Sequence, residues 1–312
     1  MKTRSIRYVR PEVVELIEEE VAEPGIGEVQ VQGLACGICA WDIFTYKHGP
    51  EAPPAAPPGH EGVGRILKLG KGVKGVREGA RVLGRGFAGL YNMQADQLAL
   101  IPENSILPDE HWIIEPVACV VTGIDHCQLR AGDRVAVVGC GYMGLMMIQI
   151  LGRSFVDQLI AIDIDPRRLE LAKKFGATQT INSSHSNFKE RMEELKLLSI
   201  DTTVDTTGVP IGLEIATKIT RPGGRINLFG WNHGPVTFDG TAWHMQGFTV
   251  INSSPSAAMR NSFVPAIRLL HRGIIDHSTL VTHVAPLDKL PEVLAQGAGK
   301  TNGYIKGVIK LT

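Results

Sequence analysis

The segment "DRVAVVGCGYMGLMMIQILG" limits the possible folds of this chain more than any other stretch. It begins as an apolar strand, turns through Gly139, Gly141 and Gly144, and continues as an apolar helix. In that context the three glycines are typical of dinucleotide binding, because they permit a tight turn, close approach to a pyrophosphate and close helix–strand packing. The helix N-terminus would offer unpaired N–H groups to the phosphates. The alternative is a glycine turn used only for packing in another α/β protein.

Strands and helices continue to alternate after this turn. "QLIAIDID" is predicted as the next strand, "PRRLELAKKFG" as a helix with proline in its first turn, and "TTVDTTG" and "GRINLFG" as later strands. Short apolar strands that alternate with helices predict parallel βαβ units. Residues 118–264 are therefore assigned to a doubly wound parallel-sheet domain of the Rossmann type.

An aspartate ends the second predicted strand. Asp163 lies 24 positions after Gly139 (163 − 139), about where a dinucleotide fold places the acid that binds the ribose hydroxyls. An acid at that point repels a 2′-phosphate, which favours NAD over NADP. We include Arg168, from the helix that follows, among the candidate cofactor-binding residues.

Residues 1 to about 110 have a different texture. "EVQVQGLA", "EGVGRILKLG", "GARVLGRG" and "QLALIPE" are short, partly apolar runs bounded by glycine or proline, and are predicted as strands of a small irregular β domain. The five prolines of "KHGPEAPPAAPPG" favour an extended surface loop. Near the C-terminus, "FVPAIRLLHRG" is predicted as a helix and "GYIKGVIKLT" as a terminal strand.

Chain length indicates the number of domains, and net charge limits the kinds of binding partner. A chain of 312 residues exceeds the usual size of one core, so two domains are expected. The 32 basic residues balance the 32 acidic ones, which points away from nucleic acid and from anionic membranes. No signal-peptide-like or membrane-spanning apolar run is present, and we expect a cytoplasmic protein without a membrane partner. The five scattered cysteines do not resemble a disulfide framework, which leaves metal binding as a possible role.

Four residues have ligand chemistry when they are taken together: Cys39, His60, Glu61 and Glu115. Each one alone has an ordinary explanation as a buried thiol, a core histidine or a surface acid. One thiolate, one imidazole and one or two carboxylates suit zinc, which binds such groups tetrahedrally and leaves a position open in catalytic sites. The gaps of 21 residues (60 − 39) and 54 residues (115 − 61) leave their convergence open.

Several motifs in order carry a family resemblance. "CGICAWD", "PGHEGVG", "EPVAC", "VAVVGCGYMG" and "AIDIDPRRLELAKKFGA" resemble the zinc-dependent medium-chain dehydrogenase/reductase family, closest to its sorbitol and threonine dehydrogenase branch. The resemblance covers essentially the whole chain. It implies a GroES-like, β-rich catalytic domain formed by residues 1–117 and 265–312, together with the Rossmann domain. It also implies homodimers or homotetramers that assemble through edge strands of the nucleotide domain.

The resemblance also assigns roles to individual residues. It makes Cys39, His60 and Glu61 the ligands of a catalytic zinc, and Glu115 a group that ligates the metal or exchanges with Glu61. Asp42 matches an acid expected to orient the His60 ring. Zinc is expected to act as a Lewis acid on a secondary alcohol of polyol, sugar or cyclitol type, or on the corresponding ketone, with hydride passing to or from NAD.

One departure from the family pattern lies beside the proposed zinc ligands. Trp41 stands where many relatives carry a serine or threonine that relays the substrate proton, and Phe44 stands where some carry a histidine. An indole N–H does not exchange protons usefully near neutral pH. The hypothesis is that Trp41 forms a wall of the substrate pocket, and that the proton leaves through zinc-bound water, Glu61, Thr45 or Tyr46. The alternative is a tryptophan that only packs.

The second departure is a missing segment. The family's lobe of four cysteines around a structural zinc is absent, since no cysteine stands between Cys39 and Cys119, so one zinc per chain is predicted. Cys36 is interpreted as a core residue. Cys119 lies one helical turn after Glu115 if that segment is helical, which would bring it beneath the nicotinamide; simple packing is the alternative. Three residues of "FGWNHG" are candidates for contacting the substrate: Trp231, Asn232 and His233.

Two rival functions remain open from sequence. A zinc-free reductase of activated double bonds could use the same fold, but it would not need the set of Cys39, His60 and Glu61. A non-catalytic NAD(H)-binding sensor or structural protein is made conceivable by the missing relay groups. Binding of the cofactor without turnover across a broad alcohol panel would favour this second rival.

Overall fold

The computed structural model describes residues 1–51, 58–232, 234–254, 258–301 and 303–312. Its strands are β1 Lys2–Arg10, β2 Val13–Glu20, β3 Glu28–Gly37, β4 Glu61–Leu69, β5 Arg81–Gly84, β6 Leu90–Gln94, β7 Arg134–Val138, β8 Gln158–Asp163, β9 Gln179–Asn182, β10 Ile200–Asp205, β11 Thr220–Leu228, β12 Thr249–Asn252, β13 Val281–Pro286 and β14 Lys306–Lys310. The chain divides into two compact units, one of residues 1–117 and 263–312 and one of residues 118–262. The prediction placed the second boundary at 264/265.

The α-helices follow the same order along the chain. They are α1 Ala40–His48, α2 Ile114–Cys127, α3 Tyr142–Leu151, α4 Pro166–Lys174, α5 Phe188–Leu197, α6 Pro210–Ile219, α7 Gly240–Gln246, α8 Phe263–His271 and α9 Leu290–Gly299. Within the described ranges, none of these helices combines the length and the apolar character needed to cross a membrane.

The unit of residues 118–262 is built on one six-stranded sheet. The strand order is β9-β8-β7-β10-β11-β12, and every neighbouring pair is parallel. The order reverses direction at β7, which makes the sheet doubly wound and confirms the predicted Rossmann class. β7 and β8 are almost entirely buried, which explains why their sequences are continuous apolar runs rather than alternating ones.

The unit of residues 1–117 and 263–312 is centred on a mostly antiparallel sheet. The strand order is β13-β14-β3-β4-β5, with β6 also paired to β3. Only the β13–β14 pair in this sheet is parallel among the described strands. β3 and β14 are buried along nearly their whole length, so the C-terminal strand completes the core that the N-terminal strands begin. This arrangement confirms the GroES-like β-rich class.

Several local predictions for this unit were wrong or incomplete. "QLALIPE" is not a strand: it holds part of a 3-10 turn at Ala95–Gln97 and one isolated bridge from Leu100 to Val82. The β1–β2 hairpin, in which Arg4 pairs with Glu18, was not predicted. Helix α1 was also missed, because β-branched and aromatic residues give it weak helical propensity. Residues 52–57 of the proline loop lie outside the described residues.

Candidate metal centre and cofactor turn

The register of two antiparallel strands brings the predicted zinc ligands together. Gly37 at the end of β3 pairs with Glu61 at the start of β4. Cys39 follows β3 by two residues and His60 directly precedes β4, so both fall at the same end of the sheet. The ligand atoms of Cys39, His60 and Glu61 all lie within 4.8 Å of one another, and in the described part of the chain they are the one such group of three.

The donor set and the space around it fit zinc. Sulfur, imidazole nitrogen and carboxylate oxygen are the groups that Zn²⁺ binds, and three protein ligands leave one position open. A side chain at Gly37 would place its Cβ only 2.2 Å from Oε2 of Glu61. The glycine therefore makes room for the carboxylate. Burial, followed by the charge of Glu61, raises the pKa of the Cys39 thiol well above its usual value. A bound dication would stabilise the thiolate and offset this rise.

Asp42 fixes the backbone beside two of the ligands rather than the histidine ring. It is 2% exposed and stands in the first turn of α1. Its Oδ2 accepts a hydrogen bond from the N–H of Cys39 at 2.8 Å, and its Oδ1 accepts one from the N–H of Gly59 at 3.1 Å. The Tyr8 hydroxyl donates to Oδ1 at 3.4 Å. No hydrogen bond from the His60 ring to Asp42 is present in the described residues, although the ring is close enough for its charge to oppose the rise that burial causes in the pKa of Asp42.

Lys306 is a member of this site that sequence reasoning missed. Its side chain is 4% exposed and forms an ion pair with Glu61, whose side chain is 2% exposed. The ammonium also donates to the carbonyl oxygen of Ile38 at 2.9 Å. Burial lowers the pKa of Lys306, but the charges of Glu61 and Cys39 outweigh this and raise it overall. The one signal in the sequence was a lysine, Lys306, next to the apolar run of the terminal strand "KGVIK", where only the structure shows that it is buried.

Four other residues singled out in the sequence are not members of the ligand group found in the described residues. Glu115 is half-buried in the first turn of α2 and is not part of the ligand group found in the described residues. Trp41 is half-buried in the first turn of α1. Cys36 is fully buried in the hydrophobic core, as predicted. The segment that carries Cys119 is helical, as its predicted position required.

The glycine-rich turn joins β7 to α3. Gly139 has a φ of +94°, a conformation that side chains disfavour. A Cβ at Gly144 would lie 2.0 Å from the carbonyl oxygen of Gly139, so close helix–strand packing requires this glycine. A Cβ at Gly141 would meet no atom within 4 Å. The packing of the chain itself therefore does not require Gly141, whereas the approach of a pyrophosphate would.

Asp163 holds the glycine-rich turn in place. Its Oδ2 accepts a hydrogen bond from the N–H of Cys140 at 2.6 Å, and its Oδ1 accepts one from the N–H of Asp165 at 2.8 Å. The aspartate lies at the carboxyl end of β8, next to the turn, as predicted. Arg168 lies in α4, where its guanidinium is 3.9 Å from the Asp165 carboxylate.

The loop after β11 lies at the carboxyl edge of the same sheet. The backbone of Trp231 packs against Gly208, where a Cβ would come within 2.3 Å of the Trp231 carbonyl oxygen. The Oδ1 of Asn232 is buried and has no hydrogen-bond partner among the described residues. His233 lies outside the described residues.

Comparison with known proteins agrees with this geometry. A family model described as an alcohol dehydrogenase GroES-like domain matches residues 25–102, and a zinc-binding dehydrogenase model matches residues 129–272. The (R,R)-butanediol dehydrogenase of Bacillus subtilis is 26% identical over 321 residues, which cover 89% of this chain and 90% of that protein. The L-threonine 3-dehydrogenase of Pyrococcus horikoshii is 27% identical over 328 residues, with coverage of 93% and 94%.

A solved structure extends the likeness to almost the full length. The crystal structure of RspB from Escherichia coli CFT073, described as a short chain alcohol dehydrogenase complexed with NADH, superposes with a TM-score of 0.88 at 26% identity and 99% coverage of both chains. The two family models, the relatives and the fold agree with one another. The chain belongs to the zinc-type medium-chain dehydrogenase/reductase family.

Proposed function

We propose that this protein is a zinc-dependent dehydrogenase that transfers hydride between a secondary alcohol of polyol, sugar or cyclitol type and NAD. The observation that carries the proposal is the cluster of Cys39, His60 and Glu61, whose ligand atoms lie within 4.8 Å of one another. Family membership adds the reaction class, since the relatives compared above are named as dehydrogenases.

The proposed chemistry divides between the metal and the chain. Zinc held by Cys39, His60 and Glu61 would supply a Lewis acid that lowers the pKa of the substrate alcohol. Asp42 keeps two backbone segments in place through its bonds to the N–H groups of Cys39 and Gly59. The glycine-rich turn and the N-terminus of α3 would receive the pyrophosphate of the cofactor. The protein thus contributes orientation, while the nicotinamide carries the redox chemistry.

NAD is the proposed cofactor. Support comes from the buried carboxylate of Asp163, which stands at the end of β8 where a 2′-phosphate would meet a negative charge. RspB, a relative, was crystallised with NADH. One zinc per chain is proposed as well, because no cysteine stands between Cys39 and Cys119 to hold a second ion.

The proposed substrate class follows from the named substrates of two relatives. The named substrates of the two relatives, butanediol and threonine, both carry a secondary alcohol. We propose Trp41 as a wall of the substrate pocket. Trp41→Ser would restore a hydroxyl at the relay position. It is expected to shift both the pH profile and the substrate preference, and unchanged values for both would contradict the pocket-wall role.

The decisive experiment measures zinc per chain on protein purified without added metal. Wild type is expected to hold about one zinc, and Cys39→Ser is expected to lose it, because zinc binds the thiolate. Cys36→Ala is the matched control, because Cys36 is three residues from Cys39, buried in the core and outside the ligand group. The Cys36→Ala protein should therefore keep its zinc. The same samples are then assayed with NAD and a panel of polyols.

Other outcomes would favour the rival functions. An absence of zinc even after reconstitution would remove the Lewis acid and favour a zinc-free reductase of activated double bonds. Bound zinc and bound NADH without turnover of any alcohol would favour a non-catalytic NAD(H) sensor or structural protein.

A further inference from the structure

A buried cation, the Lys306 ammonium, lies inside the proposed metal centre. The ion pair of Lys306 and Glu61 joins two side chains that are 4% and 2% exposed. Removing a charge from water is costly unless a partner and hydrogen bonds compensate for it. Lys306 has both, because it also donates to the carbonyl oxygen of Ile38 at 2.9 Å. The ammonium is therefore held at a defined point beside the ligands.

Strand register explains why the lysine reaches this point. On β14, Val308 pairs with Gly37 of β3, and the N–H of Ile38 donates to the carbonyl oxygen of Gly307 at 2.9 Å. The antiparallel direction then carries Lys306 alongside the residues that lead from β3 to Cys39. On the other side of β3, Gly37 pairs with Glu61. Three strands thus converge on one carboxylate.

We propose that Lys306 is a positioning residue that holds the Glu61 carboxylate in the cluster when no metal is bound, and that competes with the metal ion for it. The inference rests on the zinc site of the proposed function. It goes beyond that function by naming a residue of the chain that sets the affinity of the site.

Charge counting gives the direction of the effect. Cys39 and Glu61 contribute two negative charges once the thiol has lost its proton, and Lys306 contributes one positive charge. A dication then leaves the site with a net charge of plus one when Lys306 is present and zero when it is replaced by a neutral residue. Two cations that share one carboxylate repel each other, most strongly where water is excluded. Lys306 therefore weakens zinc binding while it keeps the carboxylate in place.

The test compares zinc dissociation constants in the full-length chain by competition with a chromophoric chelator. Lys306→Met, which has a similar length but no charge, is expected to bind zinc about tenfold tighter, within the range by which outer partners tune metal affinity. Lys306→Arg retains the charge and should stay near the wild-type value. Lys310→Met is the matched control, because Lys310 lies on the same strand but pairs with Glu110 at the surface, and its affinity should not change.

A second neutral variant keeps the test valid if Lys306→Met folds poorly. Lys306→Gln is neutral but can still donate to the Ile38 carbonyl, and it should also bind zinc more tightly than wild type. Combining either substitution with Glu61→Gln should abolish the effect, because the competition acts through that carboxylate. A merely structural lysine would give the opposite sign, with weaker zinc binding in every neutral variant, and that result would overturn the proposal.

Metal-free protein gives an independent measurement. Without zinc, Lys306→Met leaves the Glu61 carboxylate buried without its cation, so it is expected to unfold at a lower urea concentration than wild type. Equal zinc affinity and equal metal-free stability in wild type and the neutral variants would overturn the inference while leaving the proposed function intact. Failure of wild type to bind zinc would instead contradict the proposed function, and the competition with it.

Discussion

The glycine-rich turn and the metal cluster are assembled in opposite ways. The turn and its aspartate lie within one strand–helix–strand segment, from Gly139 to Asp163, and neighbouring parallel strands bring them together. The cluster collects Cys39, just after β3, with Glu61 of β4 and Lys306 of β14, across 267 positions (306 − 39). A local motif tolerates changes elsewhere in the fold, whereas a convergent cluster depends on the register of every strand that supplies it.

The two regions also differ in the physical constraint on their residues. Packing against backbone restricts the turn, since Gly144 lies against the Gly139 carbonyl. Charge restricts the cluster, where a half-buried thiol lies close to a buried carboxylate that is paired with a buried ammonium. Substitutions that add one methyl group to each region should therefore fail in different ways.

The largest effect is expected from Gly37→Ala in the cluster. The new Cβ would lie 2.2 Å from Oε2 of Glu61, and the end of that side chain is the atom that can move. The carboxylate should leave the ligand position, with some loss of stability because its buried ion pair with Lys306 is broken. Zinc binding in structural sites is worth about 10–16 kcal/mol over four ligands, or about 3 kcal/mol per ligand, so losing one should weaken zinc binding by about two orders of magnitude. Chelator competition measures this.

Gly33→Ala on the same strand is its matched control. Here the Cβ would lie 2.2 Å from the backbone oxygen of Ala88, far from the ligands in the sheet register, and backbone cannot move aside cheaply. This variant should lose stability but keep its zinc. Loss of zinc in both variants would mean that Gly37→Ala acts through the fold and not through Glu61.

In the turn, Gly144→Ala and Gly141→Ala should separate packing from cofactor binding. Gly144→Ala forces a Cβ to 2.0 Å from the Gly139 oxygen, and overpacking of this kind typically costs about 1–3 kcal/mol of unfolding free energy. Gly141→Ala meets no atom and should leave stability within about 0.5 kcal/mol. NADH titration should nevertheless show weaker binding to Gly141→Ala, because its methyl group faces the expected pyrophosphate. Unchanged affinity there would contradict the proposed cofactor position.

Acid should destabilise the cluster-bearing unit through His277, which is outside the ligand group. Burial lowers the pKa of His277 to about 4, and its ring lies 2.8 Å from the carbonyl oxygen of His111. As pH falls below 6.5 the unfolded chain binds a proton at this ring while the folded chain does not, so stability is lost between pH 6.5 and 4. The loss from pH 7 to pH 5 is on the order of 2 kcal/mol.

His277→Asn measures the contribution of that ring. The asparagine amide can still donate to the His111 carbonyl but does not titrate. Urea unfolding at pH 7 and pH 5 should therefore show a smaller acid-induced loss in the variant than in wild type. An identical loss in both proteins would mean that other groups dominate the acid response.

The smallest effect concerns cofactor choice. Asp163→Asn removes the charge that opposes a 2′-phosphate, and it should lower the preference for NAD over NADP about tenfold, equivalent to about 1.4 kcal/mol. Because Asp163 also accepts hydrogen bonds from Cys140 and Asp165, the variant should bind both cofactors less well. The ratio of the two affinities removes this shared loss. An unchanged ratio would show that another group selects the cofactor.

Sequence prediction succeeded where one local pattern decides structure. The strand, turn and helix around Gly139 follow from hydrophobic runs and glycine spacing, and the doubly wound sheet follows from their repetition. It failed where weak propensity gave way to tertiary packing: "QLALIPE" has the composition of a strand but makes one bridge, and α1 forms with Asp42 bonding the N–H of Cys39. The orientation of Asp42 toward backbone rather than the His60 ring was likewise invisible, since either acceptor role suits a carboxylate.

The sequence by itself determined the fold class, the dinucleotide turn and the types of group available to a metal, because these depend on periodicity and chemistry along the chain. Only the tertiary structure decided that Cys39, His60 and Glu61 meet while Glu115 stays outside their group in the described residues. It also decided that Lys306 joins them. The physical reason is that side-chain distances across a sheet are set by strand register, and pairing between distant strands leaves no periodic trace in the sequence.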